Sequence, residues 1–117
     1  MPRWMAAAAV CLVCLFPANA EAAARTVEIH ATDQGFVPAN VIAMVDQPIH
    51  LHVVNTGTRV HQFSIPFYRI FSRNLGPGET TDIEFSPWTA GRYEMASDPS
   101  GNFSPEFRGW FIVTDQK

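Results

Sequence analysis

The sequence predicts an all-β fold, a two-sheet Greek-key β-sandwich of seven or eight short strands. Apolar and polar residues alternate with a period of two in several segments, as in Ile49–Val54. Turn-forming residues separate these segments, for example at Asp46-Gln47-Pro48 and at Gly76-Pro77-Gly78. Beyond residue 20 no stretch keeps a helical period, so the elements are expected to be strands.

The first predicted strand is Thr26–Ala31, whose alternation places Glu28 and His30 on one face and apolar residues on the other. Gln34-Gly35 marks a turn, after which an extended stretch runs from Phe36 to Val45. In the next strand, Ile49–Val54, the isoleucine, leucine and valine at alternate positions face the core. The two intervening histidines therefore face outward.

The second half of the chain continues the same pattern. The remaining predicted elements, in order, are the loop Asn55–Thr58, the strand Val60–Ile65, the aromatic segment Pro66–Phe71, the strands Thr81–Phe85 and Arg92–Ala96, the loop Ser97–Glu106 and the strand Trp110–Thr114. Two prolines and a glycine predict the loop before the last strand. In Thr81–Phe85, Asp82 and Glu84 are expected to point outward.

The first 20 residues are typical of a secretory signal peptide. A basic start at Arg3 is followed by an apolar run and by the small residues Ala18-Asn19-Ala20, which predict cleavage after residue 20; a second acceptable site follows Ala24. Both cysteines, Cys11 and Cys14, lie within the apolar run. We therefore expect one domain over residues 21–117, without thiols, in the periplasm.

The charge balance excludes some classes of partner. Without Arg3 the domain carries seven basic and eleven acidic residues, a net charge of −4, and no basic run. Binding to nucleic acid or to an anionic lipid surface is disfavoured, since both need clustered positive charge. No Gly-rich phosphate loop is present. Stable membrane insertion is not expected once the leader has been removed.

A series of short motifs runs from Phe36 to the last predicted strand. In order they are Phe36-x-Pro38, Val41-x-Ala43, Ile49-x-Leu51-x-Val53-x-Asn55, His61-x-Phe63-x-Ile65, Gly76-Pro77-Gly78, Gly91-x-Tyr93 and Gly109-x-Phe111-x-Val113. Their spacing resembles that of the cupredoxin family of small copper-binding β-sandwiches. The resemblance implies a core of phenylalanine layers and a side-chain amide at Asn55 that ties the loop beside a metal pocket.

The resemblance also implies a metal pocket whose ligands have largely been replaced. The first copper ligand of the family corresponds to His61, whereas its cysteine, second histidine and methionine correspond to Ser97, Asn102 and Phe107. A thiolate is what makes a blue-copper centre, so such a centre is not expected here. The remaining candidate donors in the pocket are His61, Met95, Asp98 and Glu106.

Imidazole with carboxylates suits iron, manganese or copper(II) better than copper(I), so the expected cargo or cofactor is a copper or iron ion. The competing interpretation is that Asp98 caps the turn Asp98-Pro99-Ser100-Gly101 and that Glu106 is a solvated surface charge.

A second candidate metal site lies on the outward face of the strands. His50 and His52 are two residues apart, so they project from one face about 7 Å apart. If the first strand lies beside them, His30 and Glu28 join the same face, with Asp82 and Glu84 on the other side. The alternative is an ordinary polar face turned to solvent.

These observations favour a periplasmic metal-handling protein. The family resemblance implies similarity to the cupredoxin-like components of bacterial iron-permease uptake systems. The expected role is to bind iron or copper, to assist ferrous-iron oxidation if it is catalytic, and to deliver iron to an inner-membrane permease. Two alternatives remain. One is copper electron transfer through His61 and Met95, with a periplasmic redox partner. The other is a metal-free adaptor that binds a partner through Pro66–Phe71.

Overall fold

The computed structural model describes residues 24–115 and confirms the two-sheet β-sandwich. The strands are β1 Arg25–Thr32, β2 Gly35–Val37, β3 Asn40–Met44, β4 Ile49–Asn55, β5 Ser64–Ile65, β6 Ile70–Phe71, β7 Thr80–Phe85, β8 Gly91–Ser97 and β9 Phe107–Thr114, with a 3₁₀ helix at Pro66–Tyr68. The predicted leader, residues 1–20, lies outside the described residues, as do both cysteines.

The described part of the chain, residues 24–115, forms nine strands rather than the predicted seven or eight. The stretch from Phe36 to Val45 is divided into β2 and β3, and the aromatic segment contributes β6. The strand predicted over Val60–Ile65 is reduced to the two residues of β5. Before β5 the chain makes one isolated bridge, between His61 and Leu75, which holds the start of this segment at the end of the sandwich.

The strands form a four-stranded sheet of order β2-β1-β4-β7 and a five-stranded sheet of order β3-β9-β8-β5-β6. β1 lies parallel to β4, and β7 lies antiparallel to it on the other side. This order confirms the expected neighbours of the histidine-bearing strand. Its register places Glu28 beside His52, and it places Asp82 and Glu84 opposite His52 and His50.

The core lies between the sheets and contains the phenylalanines that the sequence assigned to it. Phe63 and Phe111 are fully buried, Phe36 is nearly so, and Phe85 is partly buried and packs against them. The rings of Phe36 and Phe63 meet edge to face, with their centroids 5.5 Å apart. Burying a phenylalanine side chain stabilises the fold by ~1.5–3 kcal/mol, so these four residues account for much of the sandwich's cohesion.

The aromatic segment after β5, Pro66–Phe71, is partly buried and partly exposed. Tyr68 is buried, and its hydroxyl donates a hydrogen bond to the carbonyl oxygen of Thr89 at 2.8 Å. Phe67 stacks on Tyr93 with the ring centroids 4.2 Å apart. Phe71, by contrast, is 64% exposed. The segment therefore folds back on the sandwich and leaves single rings outside.

Candidate functional site

The imidazole of His61 is completely buried between two carboxylates. Its Nε2 lies 2.9 Å from Oδ1 of Asp33, and its Nδ1 lies 2.6 Å from Oε2 of Glu106. We call the cluster of His61, Asp33, Glu106, Ser97 and Phe107 the His61 pocket. It brings together three segments: the turn after β1, the loop between β4 and β5, and the junction of β8 and β9.

Asn55, the last residue of β4, ties down the loop that carries His61. Its amide nitrogen donates hydrogen bonds to the carbonyl oxygens of Arg59 and Leu75, at 2.8 and 2.7 Å. Its amide oxygen accepts the N–H of Gly57 at 2.8 Å. Because the side chain of Asn55 is fully buried, these three bonds supply partners for its amide nitrogen and oxygen, which water does not reach. The loop-tying role expected for Asn55 is thus observed.

Asp33 is held in place by the same loop. It accepts hydrogen bonds from the hydroxyl and the N–H of Thr58 and from the N–H of Arg59. The bonds from the Thr58 hydroxyl and from His61, in that order, hold the pKa of the Asp33 carboxyl far below its usual range. A Cβ at Gly57 would lie 2.2 Å from Oδ1 of Asp33, so only glycine permits this close approach.

The number of N–H groups on the imidazole constrains where the pocket holds a proton. An ionised carboxylate only accepts hydrogen bonds, and a neutral imidazole has one N–H. Contacts to carboxylates at both ring nitrogens therefore require either an imidazolium or a proton on Glu106. The guanidinium of Arg59 adds positive charge, since its nitrogens lie 4.0 Å from Asp33 and 3.9 Å from Glu106. The two carboxylates are thus balanced by the Arg59 guanidinium and by a proton held at His61 or Glu106.

Two of the three replaced ligand positions lie in the His61 pocket. The hydroxyl of Ser97 donates to Oε2 of Glu106 at 2.5 Å and accepts the N–H of Gln62 at 2.9 Å. The ring of Phe107 packs against the imidazole with a centroid distance of 5.3 Å. Asn102 is instead exposed on the loop between β8 and β9.

The other predicted pocket donors lie elsewhere. Met95 is fully buried in the hydrophobic core, where it pairs with Gly109 across β8 and β9. Asp98 accepts a hydrogen bond from the hydroxyl of Ser100 at 3.0 Å, which is the turn chemistry considered above. The structure therefore brings His61 and Glu106 together and places Met95 and Asp98 in other environments.

The outer face of the four-stranded sheet carries the remaining candidates. His30 contacts Glu28, with Nε2 and Oε2 3.0 Å apart. His50 and His52 both contact Oδ1 of Asp82, at 2.8 and 2.7 Å. The histidines of this face are therefore divided between two carboxylates.

Within residues 24–115, no group of three or more histidine, cysteine, aspartate or glutamate side chains is arranged to hold a metal ion. At His61 the reason is geometric. The two ring nitrogens point away from each other, so Asp33 and Glu106 cannot share one ion with this imidazole. On the Nδ1 side the donors are Glu106 and the hydroxyl of Ser97, so any ion there has few protein ligands.

Asp33 is the site residue that sequence reasoning missed. It follows β1 directly and precedes the predicted turn at Gln34-Gly35, a place where aspartate is common. Its hydrogen bonds go to residues 58, 59 and 61, which are remote in sequence. The one local signal is Gly57, whose missing side chain admits the carboxylate, and a glycine in a loop is not specific enough to identify its partner.

We expect Asp33→Asn to lower stability at neutral pH and the difference from wild type to shrink in acid. A carboxylate whose folded pKa is depressed stabilises the fold above its unfolded pKa, about 3.9 for aspartate, and this contribution is lost as the pH falls toward the folded value. Urea unfolding at pH 7, 4 and 2.5 measures the difference. Asp115→Asn, at an exposed position, is the control. If the difference in unfolding free energy between wild type and Asp33→Asn stays constant or widens in acid, the Asp33 carboxylate does not stabilise the fold in this pH-dependent way.

Comparison with known proteins places this geometry in context. The profile of a family described as "Cupredoxin-like domain" matches residues 4–113. The structure is similar to the metal binding domain of the Cu(I)-exporting P-type ATPase of Streptococcus pneumoniae, at a TM-score of 0.67 and 20% identity, covering 84% of this chain and 93% of that one. No curated protein sequence matches the chain.

Two further solved structures are similar. For auracyanin from Roseiflexus castenholzii the TM-score is 0.66 at 16% identity, covering 80% of this chain and 99% of that one. For the copper-containing nitrite reductase of Thermus scotoductus the TM-score is 0.63 at 17% identity, covering 81% of this chain and 28% of the enzyme. These identities support a common fold. Residues 24–115 include no helix long and apolar enough to cross a membrane.

Proposed function

Because the chain belongs to the cupredoxin-like domain family, we propose that it is a periplasmic metal-handling protein that carries a copper(II) or iron ion as cargo in the His61 pocket. The observation that carries the proposal is the orientation of His61. Asp33 accepts at Nε2, which leaves Nδ1 directed at Glu106 and Ser97. A ligating histidine in metal sites almost always donates its other N–H to a carboxylate or a carbonyl.

The donor set supports a hard or borderline cation. An imidazole nitrogen, a carboxylate oxygen and a hydroxyl oxygen meet on the Nδ1 side, with separations of 2.5 to 2.6 Å from Glu106 to its two partners. Nitrogen and oxygen donors of this kind suit copper(II) or iron, whereas copper(I) prefers thiolate or thioether. A cation would replace the proton that now lies between His61 and Glu106.

Blue-copper electron transfer is disfavoured by the same residues. The only cysteines of the chain are Cys11 and Cys14, and serine occupies the thiolate position of the pocket. Met95, the donor on which the electron-transfer alternative relied, is buried in the core against β9. A pocket with three protein donors and no thiolate is better suited to exchange an ion than to retain one.

A protein that releases its bound ion readily is suited to pass that ion to another protein. The leader predicted at residues 1–20 and the resemblance that the sequence motifs imply to iron-permease accessory proteins motivate the proposal that the ion is delivered to an inner-membrane iron permease. The domain's negative net charge favours encounter with free cations. Ferrous-iron oxidation would need an electron acceptor in addition to the bound ion.

Glu106→Gln is expected to weaken copper(II) or anoxic iron(II) binding at this pocket by at least ~10-fold, because it removes the only anionic donor on the Nδ1 side. Calorimetric titration gives the affinity, and broadening of the backbone amide signals of His61 and Ser97 by the paramagnetic ion locates it. Glu94→Gln is the matched control, since Glu94 contacts Arg108 at 2.6 Å on the outer side of β8. Unchanged affinity in Glu106→Gln, or binding without broadening of these signals, would refute the proposal.

A metal-free adaptor is the second candidate, favoured by two exposed rings. Phe71 and Phe103 are 64% and 94% exposed and flank a cavity of about 490 Å³ on the outer side of the five-stranded sheet. Large exposed aromatic side chains are enriched in protein–protein contacts. The titration separates the two candidates, because an adaptor binds neither ion in the His61 pocket.

A further inference from the structure

Two histidines and an aspartate converge on the outer face of the four-stranded sheet. Nε2 of His50 and Nδ1 of His52 lie 2.8 and 2.7 Å from the same oxygen, Oδ1 of Asp82. In this structure the three side chains are joined by hydrogen bonds and are not arranged as a coordination sphere. We propose that they rearrange to form a second cation site, separate from the His61 pocket, that takes a borderline divalent ion such as copper(II), zinc(II) or nickel(II). Imidazole with one carboxylate is a donor set that such ions accept.

The convergence follows from the backbone. His50 and His52 alternate with Ile49, Leu51 and Val53, which are buried, so both imidazoles are forced to the outer side of β4. The antiparallel register then places Asp82 of β7 directly opposite His52. β4 is an inner strand, hydrogen-bonded to β1 on one side and to β7 on the other. The three side chains therefore project from a rigid support, as a selective site requires.

The surrounding charge favours a cation. Glu84 lies opposite His50, and Glu28 lies beside His52 on β1. With Asp82, this gives three carboxylates around two imidazoles.

An ion could bind at this site only after the present hydrogen bonds have broken. Oδ1 of Asp82 accepts from both rings, so ring hydrogens occupy the space between the three donor atoms and no preformed coordination sphere exists. The side chains of His50, His52 and Asp82 are 33%, 35% and 54% exposed, so they can turn without disturbing the core. Each ring then offers a lone pair after its proton has moved to the other nitrogen or to solvent.

His30 is outside this ligand set. It contacts Glu28 at 3.0 Å, and its neighbour on β4 is Val54 rather than a histidine. It shares the outer face and a similar exposure, 38% of its side chain, so it serves as a matched control for the other two.

The test is titration of the protein with copper(II), followed by broadening of backbone amide signals, and with zinc(II), followed by calorimetry. Broadening is expected over residues 50–52 and 81–83, at a different place from that expected for the His61 pocket. His50→Ala combined with His52→Ala should weaken this site by at least ~10-fold, as should Asp82→Asn alone, while His30→Ala leaves it unchanged.

Three outcomes would overturn the proposal: no broadening on β4 and β7, unchanged affinity in the double variant, or an equal loss in His30→Ala. Binding at the His61 pocket would not support this second site, because an ion bound there broadens different amide signals. Circular dichroism checks that the double variant is folded, and Asp82→Asn, a nearly isosteric change, gives an independent answer if it is not.

Discussion

Replacing His61 with alanine is expected to lower the free energy of unfolding by about 3 kcal/mol and to abolish ion binding in the His61 pocket. The imidazole is fully buried and lies between two carboxylates. The imidazole makes two hydrogen bonds to carboxyl groups, and each hydrogen bond to a charged group contributes ~1.5–3 kcal/mol. The lower end of that range applies here, since Asp33 keeps its bonds to Thr58 and Glu106 keeps its bond to Ser97.

Urea unfolding at pH 7 in metal-free buffer measures this loss. His30→Ala is the control, because His30 is partly exposed and contacts a single carboxylate. A change within about 0.5 kcal/mol is expected for the control, as for most surface substitutions. If His61→Ala loses less than about 1 kcal/mol, the two carboxylates are not held together by the imidazole.

Asn55→Leu is the second large effect, with an expected loss of about 3 kcal/mol. Leucine has a similar size but no polar atoms, so the N–H of Gly57 and the carbonyl oxygen of Arg59 lose their partner, and the carbonyl oxygen of Leu75 keeps only the N–H of His61. Each buried polar group left unsatisfied costs ~1–3 kcal/mol, and partial access of water near Arg59 keeps the sum toward the low end.

The same substitution should weaken ion binding in the His61 pocket. Asn55 fixes the turn whose N–H groups hold Asp33, and Asp33 in turn orients His61. Unfolding and titration of Asn55→Leu are compared with those of Asn74→Leu, which removes one exposed hydrogen bond to Pro99. Equal stability of the two variants would show that the loop does not depend on Asn55.

The separation between the two candidate sites has a structural basis. The His61 pocket is built at one end of the sandwich from three chain segments, and its imidazole is sealed from solvent. The outer face is built on adjacent strands, and its rings are accessible. An ion in the buried pocket would have to exchange through the partly exposed Glu106, whereas an ion on the outer face would equilibrate with solvent directly. Variants in one are therefore expected to leave the other intact.

The outer face could be predicted from the sequence because its signal is local. Alternation along Ile49–Val53 requires the two intervening histidines to share a face, and the common strand order of the family resemblance supplied their neighbours. The structure confirms that order, with β1 and β7 on either side of β4. Only the tertiary structure showed that both rings contact the same oxygen of Asp82. Strand register and side-chain rotamers decide which carboxylate each ring meets, and neither can be read from the sequence.

The sequence by itself determined the β-sandwich and the phenylalanine core, because periodicity, turn residues and residue chemistry are written along the chain. The family resemblance of its motifs supplied the thiol-free pocket and the place of His61 in it. Tertiary structure alone decided that Asp33 meets His61, that Glu106 takes the other ring nitrogen and that Met95 belongs to the core. The reason is physical: the pocket is made of loops, whose paths are set by long-range hydrogen bonds and by close approaches such as that of Gly57 to Asp33, and such contacts leave no period in the sequence.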